Sequence, residues 1–157
     1  MRCIGGLIYC TLLAILLLVV CSTFTEAASK DVLVLTKDNI TLVDTGRWMV
    51  KFYAPWCGHC KRLAPTWERF AKTAHTDAAY KSEGLRVAKM DCSGSDRDVC
   101  NKFNVRGYPT LLFFDSGKLY EHDGEREFDA LVEFGLKGGW RTAGSTYSRS
   151  IAMQYLY

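Results

Sequence analysis

With 157 residues, 48% of them hydrophobic and 24% charged, the chain is long enough for one ordinary domain with its own core plus appendages. A formal net charge of +3 is too small and too dispersed for a nucleic-acid or anionic-membrane surface to be the main partner. No GxGxxG or GxxxxGK[ST] pattern occurs, so no nucleotide cofactor is implied.

The N-terminus carries Arg2 and then a nearly uncharged apolar run from Ile4 to Val20, followed by small and polar residues through Thr25, Glu26, Ala27 and Ala28. This pattern predicts a secretory signal peptide over residues 1–27, with Thr25 and Ala27 as the small residues of a cleavage site. The alternative is an uncleaved anchor, because a run of about 17 residues is at the low end of what crosses a ~30 Å hydrocarbon core. Cleavage would leave no stable membrane span, and either outcome puts the folded part in an oxidising compartment. Of the seven cysteines, Cys3, Cys10 and Cys21 lie in this segment; Cys57, Cys60, Cys92 and Cys100 remain, an even set that fits one reactive and one structural disulfide. Asn39-Ile40-Thr41 is an N-glycosylation acceptor tripeptide, which makes Asn39 a candidate modification site.

Val32 to Leu35 is a β-branched run that predicts a first strand, and Asp38 can cap a short helix reaching about Val43, ended by Gly46. Trp48 to Ala54 is a nearly continuous apolar run, as expected of a strand buried on both faces. From Cys57 onward Cys60, Leu63, Ala64, Trp67, Phe70, Ala71, Ala74 and Ala78 recur at three- and four-residue steps, predicting an amphipathic helix packed on a sheet. Pro65 removes a backbone donor inside that helix and predicts a kink near Lys61 to Leu63 rather than a break. A polar turn at Lys81 to Gly84 leads to a strand from Leu85 to Asp91, then to a short helix through Phe103 capped by Ser95 or Asp96.

Thr110 to Phe114 predicts another buried strand, Asp115-Ser116-Gly117-Lys118 a hairpin turn, and Leu119 to His122 an edge strand. Glu127 to about Lys137 reads as a last helix. Beyond Gly138 the 139–157 tail shows no period and is expected to be disordered, although Trp140, like Trp48 and Trp67, is expected to pack. His75 and His122 have no partner pattern and are expected to be solvated. The order β-α-β-α-β-α-β-β-α predicts an α/β fold with a mixed sheet and helices on both faces.

Cys57-Gly58-His59-Cys60 follows the central strand directly and places two thiols one helical turn apart. Unpaired N–H groups and the dipole at a helix N-terminus favour a thiolate on the first cysteine. A protonated His59 would add positive charge beside that sulfur, stabilising the reduced form and making the disulfide the better oxidant. Zinc is the rival for a CxxC, but a structural site needs four ligands, usually from two close pairs, so no metal is expected. Cys92 and Cys100 are expected to form a structural bridge, for which loop closure is worth about 2.5 kcal/mol, with two buried free thiols as the alternative.

Taken together, Phe52-Tyr53-Ala54-Pro55-Trp56-Cys57-Gly58-His59-Cys60-Lys61, Pro65 and Val105-Arg106-Gly107-Tyr108-Pro109-Thr110 resemble a thioredoxin-fold domain of the protein disulfide isomerase family. The resemblance implies a thioredoxin-like domain over residues 30–138 that forms, breaks or rearranges disulfides in secretory-pathway proteins. By resemblance, Cys57 is the nucleophile and Cys60 the resolving thiol. Gly58 and His59 complete the active motif, Pro109 is a cis-proline facing the cysteines, and Arg126 is a mobile arginine that tunes the resolving cysteine. The resemblance also implies that Trp56, Tyr108 and Pro109 lie beside the motif and offer surface for unfolded polypeptide. The implied partners are unfolded or disulfide-bonded secretory polypeptides and an external thiol/disulfide redox partner, with no cofactor and a monomeric state.

The implied location is the endoplasmic reticulum lumen or secretory pathway, with secretion as the alternative because Met153 to Tyr157 carry no Lys-Asp-Glu-Leu-like signal. Lys51 is the main departure, since typical members carry a buried acidic residue at its position. At about 6 Å and an effective dielectric of about 20 a lysine charge is worth about 2.8 kcal/mol to a Cys60 thiolate. A neutral Lys51 could instead accept that thiol's proton, and a lysine reaching water would do neither. This departure keeps a second reading open, a chaperone-like or adaptor module with little redox turnover.

Overall fold

The computed structural model describes residues 30–144; the expected signal segment 1–27 and residues 145–157 of the expected tail lie outside the described residues. The elements run β1 (Val32–Leu35), a 3-10 turn (Ile40–Asp44), β2 (Arg47–Tyr53), α1 (Gly58–Thr76), α2 (Ala78–Lys81), β3 (Leu85–Asp91), α3 (Arg97–Lys102), β4 (Thr110–Asp115), β5 (Lys118–His122), α4 (Phe128–Gly135) and a 3-10 turn (Gly139–Arg141). The strands form one sheet in the order β1-β3-β2-β4-β5. β3 pairs in parallel with β1 and β2, whereas β4 pairs antiparallel with β2 and β5. This is the mixed sheet with helices on both faces that the element order predicts. Among the described residues no helix is long and apolar enough to cross a membrane.

β2 lies at the centre of the sheet, and the pleat sends alternate residues to opposite layers. Met49 joins Leu63, Trp67 and Phe70 of α1 and Leu131 of α4 in one core. Trp48, Val50 and Phe52 join Val99 and Cys100 of α3 and Ile40 and Val43 of the first 3-10 turn in the other. A strand buried on both faces therefore needs the unbroken apolar run seen in the sequence, each large side chain contributing about 1.5–3 kcal/mol on burial.

Local readings hold or shift by a few residues for identifiable reasons. α1 runs through Pro65 without a break, but it stops at Thr76 rather than Ala78, because the Asp77 side chain accepts from Ala79 N at 2.9 Å and starts α2. Lys81 thereby closes a short helix instead of opening a turn. The expected Asp38 cap is replaced by Asn39, which accepts from Thr36 N at 2.7 Å and donates to Val34 O at 3.2 Å. Asp96 precedes α3 but caps nothing; its carboxylate accepts from Lys37 N at 3.1 Å, tying the loop after β1 to α3. In the hairpin Ser116 and Gly117 both have positive φ (49° and 85°), the conformation that a two-residue turn with right-handed strand twist requires.

α4 is shorter at both ends than the expected helix from Glu127 to about Lys137. It packs so closely on α1 that a Cβ at Gly135 would meet Phe70 Cζ at 2.9 Å. Trp140 stacks on Phe113 with ring centroids 4.7 Å apart, so ordered packing continues past the expected boundary at 138. His122 is not solvated: it is 9% exposed, its Nε2 lies 2.8 Å from Glu125 O, and its ring meets Phe134 of α4. His75 sits 3.4 Å from Asp31 rather than free in water.

Candidate active site

The parallel β2-α1 connection ends the central strand at Tyr53 and delivers the chain within four residues to the first turn of α1. Cys57 occupies the N-cap position, and its sulfur accepts from Cys60 N at 3.4 Å, in the role a Ser or Asp oxygen plays at other helix starts. Its thiol also donates to Tyr108 O at 3.4 Å, across the peptide that joins Tyr108 to Pro109 in the cis form. Cys57 is 9% exposed and Cys60 4%, and both are free thiols.

The two sulfurs sit in unequal surroundings. A hydrogen bond from the Cys60 side chain is the main influence holding Cys57 below the ordinary thiol value, against an opposing burial penalty, with further help from the Cys60 and His59 backbone and the Arg62 charge. Burial pushes Cys60 up to about 11. The outer thiol is therefore the easier to ionise and the inner one holds its proton.

The expected site residues converge, with three changes of role. Trp56 is 70% exposed and meets the Tyr108 ring edge-on at 6.0 Å, so the two form one apolar ledge beside Cys57. Arg62 Nη2 donates to His59 Nδ1 at 2.8 Å; a guanidinium cannot accept, so that nitrogen is unprotonated in this contact and the positive charge beside Cys57 is the arginine's. Gly58 opens α1 in open space, where a Cβ would touch Arg62 alone at 3.8 Å, so it contributes no steric necessity of its own. Arg126 donates to Pro109 O at 3.2 Å and so braces the proline loop instead of contacting Cys60. A cleft of about 460 Å³ separates His59, Arg62 and Thr66 from Asp123, Glu125 and Arg126 of the loop before α4.

Cys92 and Cys100 are joined in a disulfide, with Cα atoms 5.9 Å apart. Cys92 N donates to Tyr53 O at 2.8 Å, and Cys92 O accepts from the Tyr108 hydroxyl at 3.3 Å, so this bridge holds one edge of the ledge. Asn39 sits on the turn after β1, the strand at the sheet edge, with its amide nitrogen engaged by Val34 O.

Lys51 does not reach water. It is 4% exposed, with its ammonium 5.5 Å from the Tyr53 ring centroid and 5.7 Å from that of Trp67. Burial, reinforced by the Lys89 charge, lowers it to about 8, while Glu68 and Cys60 pull the other way. Lys89 is its register partner on β3, and Lys89 Nζ lies 3.9 Å from Glu68 Oε1 on α1. Arg62, Glu68 and Lys89 are the participants that sequence reasoning missed. Lys89 carried a signal: it occupies an inward slot of β3, in step with Leu85 and Val87.

The sequence profile of the thioredoxin family matches residues 31–137. A thioredoxin domain-containing protein of Theileria parva is 46% identical over 93 residues, covering 59% of this chain and 39% of its own length. Protein disulfide-isomerase 1 of Dictyostelium discoideum is 42% identical over 132 residues, covering 82% of this chain and 34% of its own length. The chain thus spans less than two-fifths of either relative. Among solved structures, the first thioredoxin domain of mouse protein disulfide-isomerase A4 superposes with a TM-score of 0.59 at 34% identity, covering 68% of this chain and 74% of that one. The J-Trx1 fragment of ERdj5 gives a TM-score of 0.61 at 33% identity, covering 72% of this chain and 53% of that one. A profile match that takes in all five strands and the helix carrying Cys57 and Cys60 makes the chain a member of the thioredoxin family, with relatives of the protein disulfide isomerase type.

Proposed function

We propose that the chain is a thiol–disulfide oxidoreductase and isomerase acting on polypeptides of the secretory pathway through Cys57 and Cys60. The observation that carries this reading is the inequality of the two thiols: an outer sulfur lowered by hydrogen bonds and Arg62, beside an inner one raised by burial. In reduction or isomerisation the Cys57 thiolate attacks a substrate disulfide, forming a mixed disulfide and expelling one substrate thiolate. Cys60 then gives up its proton and attacks Cys57 Sγ; the Cys57–substrate bond breaks, its electron pair leaves with the substrate sulfur, and a Cys57–Cys60 disulfide remains. Oxidation runs these steps in reverse, and an external thiol/disulfide partner resets the pair.

The Trp56–Tyr108 ledge and the backbone around Pro109 would bind an extended substrate segment, as expected for surface that leaves a large indole in solvent. The signal-like segment 1–27 and the disulfide-isomerase relatives support an endoplasmic reticulum or other secretory location, with the domain working as a monomer. The Cys60 value of about 11 favours one competing reading, an adaptor that captures substrates and turns over little. Insulin reduction and refolding of scrambled ribonuclease, with Cys57→Ser as control, separate the two: the wild type is expected to catalyse both and the variant neither. A wild type as inert as Cys57→Ser would reject the enzyme reading.

A further inference from the structure

Beneath Cys60 the structure places a charge cluster with one polar atom unaccounted for. Glu68 Oε2 is buried with no hydrogen-bond partner, although its other oxygen lies 3.9 Å from Lys89 Nζ. A buried carboxylate oxygen left unpaired is costly, so such an atom calls for a reason. The groups facing Lys51 are Cys60 and Glu68 from α1, Lys89 from β3, and Tyr53 on its own strand, whose neighbour on β3 is Asp91; across β4 its register partner is the apolar Leu111. Two lysines and one carboxylate balance only when one lysine is neutral. Lys51 is the more buried of the two, and Lys89 already has a carboxylate oxygen.

We propose that Glu68 is a positioning residue for the second step of the exchange, its free Oε2 waiting to accept a hydrogen bond from Lys51 when that amine takes the proton of Cys60. The inference rests on the reading of Cys60 as the resolving thiol. In the form that acts, reached as pH rises past about 8, Lys51 is neutral and Lys89 pairs with Glu68. As Cys60 attacks Cys57 Sγ in the mixed disulfide, its proton passes to Lys51 Nζ and its electron pair forms the new S–S bond. The substrate sulfur departs with the electrons of the broken bond. The ammonium so formed finds its counter-charge at Oε2, and the proton returns to solvent along the Glu68 side chain, which is 33% exposed. Moving the acid from the strand to the helix in this way lets a lysine at position 51 serve a buried thiol.

The test follows glutathione release from the Cys57 mixed disulfide. Reduced protein is mixed with glutathione disulfide, quenched with acid at intervals, and analysed by mass spectrometry from pH 6 to 10. In the wild type the release rate is expected to climb with pH to a plateau as Lys51 loses its resting proton. In Glu68→Gln the midpoint should fall by about one pH unit and the plateau by about three- to tenfold, because the amine becomes a weaker base and its ammonium loses its partner. A Glu68→Gln profile that overlays the wild type overturns the proposal, since a purely structural role would leave the midpoint in place. Glu68→Asp, which keeps the charge but withdraws the acceptor, should lower the plateau with a smaller midpoint shift. It carries the test alone if the Gln variant unfolds, and a wild-type plateau in it is then the overturning result. Wild-type protein that forms the mixed disulfide yet never releases glutathione rejects the underlying enzyme reading as well.

Discussion

Cys57 and Cys60 stand as free thiols three positions apart at the start of a helix, whereas Cys92 and Cys100 stand bonded, eight positions apart, in the core on the α3 face of the sheet. In the first pair Cys57 has a carbonyl acceptor at Tyr108 and the charge of Arg62 beside it, with Cys60 buried behind it. In the second, both sulfurs are bonded to each other in a buried cluster with Phe52, Met90 and Val99, out of reach of a partner. The two pairs teach that redox role follows surroundings: the same atoms become a reagent where a thiolate is solvated by backbone N–H groups, and a staple where it is not.

The sharpest break between the pairs is substitution. Cys57→Ser should abolish insulin reduction while leaving the urea midpoint within the error of the measurement. Cys92→Ala with Cys100→Ala should do the reverse, costing about 2.5 kcal/mol of stability by urea titration while the rate of Cys57 alkylation by iodoacetamide stays close to wild type. A double variant that lost alkylation reactivity as fully as Cys57→Ser would show that the bridge builds the reactive site and would dissolve the distinction.

A smaller effect separates the pairs by pH. Lys51, lowered to about 8 from an ordinary 10.5, binds fewer protons folded than unfolded across that window, so stability should rise there with pH. Cys60, raised to about 11 from 9, holds its proton longer when folded, so its contribution is intact below 9 and lost toward 11. From pH 8 to 9 in the oxidised protein, where neither Cys57 nor Cys60 titrates, the lysine acts almost alone, and stability should grow by about 1 kcal/mol. Urea titrations of Lys51→Met over the same interval should show no such rise; a rise that survives the substitution would place the titration elsewhere. Above pH 9 the reduced protein should lose stability relative to the oxidised one as free Cys60 gives up its proton. The Cys92–Cys100 bridge, having no thiol to ionise, contributes no slope in either state.

The least disruptive probe is Trp56→Ala. With most of its ring in solvent the change should alter stability by no more than about 0.5 kcal/mol. Its mark should be a rise of a fewfold in the apparent KM for a polypeptide disulfide and none for glutathione disulfide, which is too small to use the ledge. Equal losses for both substrates would make Trp56 part of the cysteine geometry instead of the binding surface.

Much of the fold was legible because its signals are local. The buried run of β2, the helical stripe from Cys57 to Ala74 and the Ser116-Gly117 turn each follow from period or turn chemistry over a few residues. The misplaced features share a different property. Asp77 ended α1 early because its side chain found a backbone donor two residues on, and Asp96 left its own helix uncapped because Lys37, distant in sequence, offered another. His122 reads as solvated in isolation, yet Phe134 was waiting for it across the fold.

By itself the sequence determined the sheet-and-helix order, the one-turn spacing of Cys57 and Cys60 at a helix start, and an even cysteine set with room for a second disulfide, which the structure then placed between Cys92 and Cys100. Each depends on residues near one another along the chain or on the chemistry of one residue type. Only the tertiary structure decided that Arg126 grips Pro109, that Arg62 supplies the charge assigned to His59, and that Lys51 is buried beside Lys89, which pairs with Glu68. Those relations arise when the register of β2 on β3 and the docking of α1 bring remote side chains within a few ångströms in a medium of low dielectric. There charge–charge and burial energies outweigh anything that spacing along the chain can express.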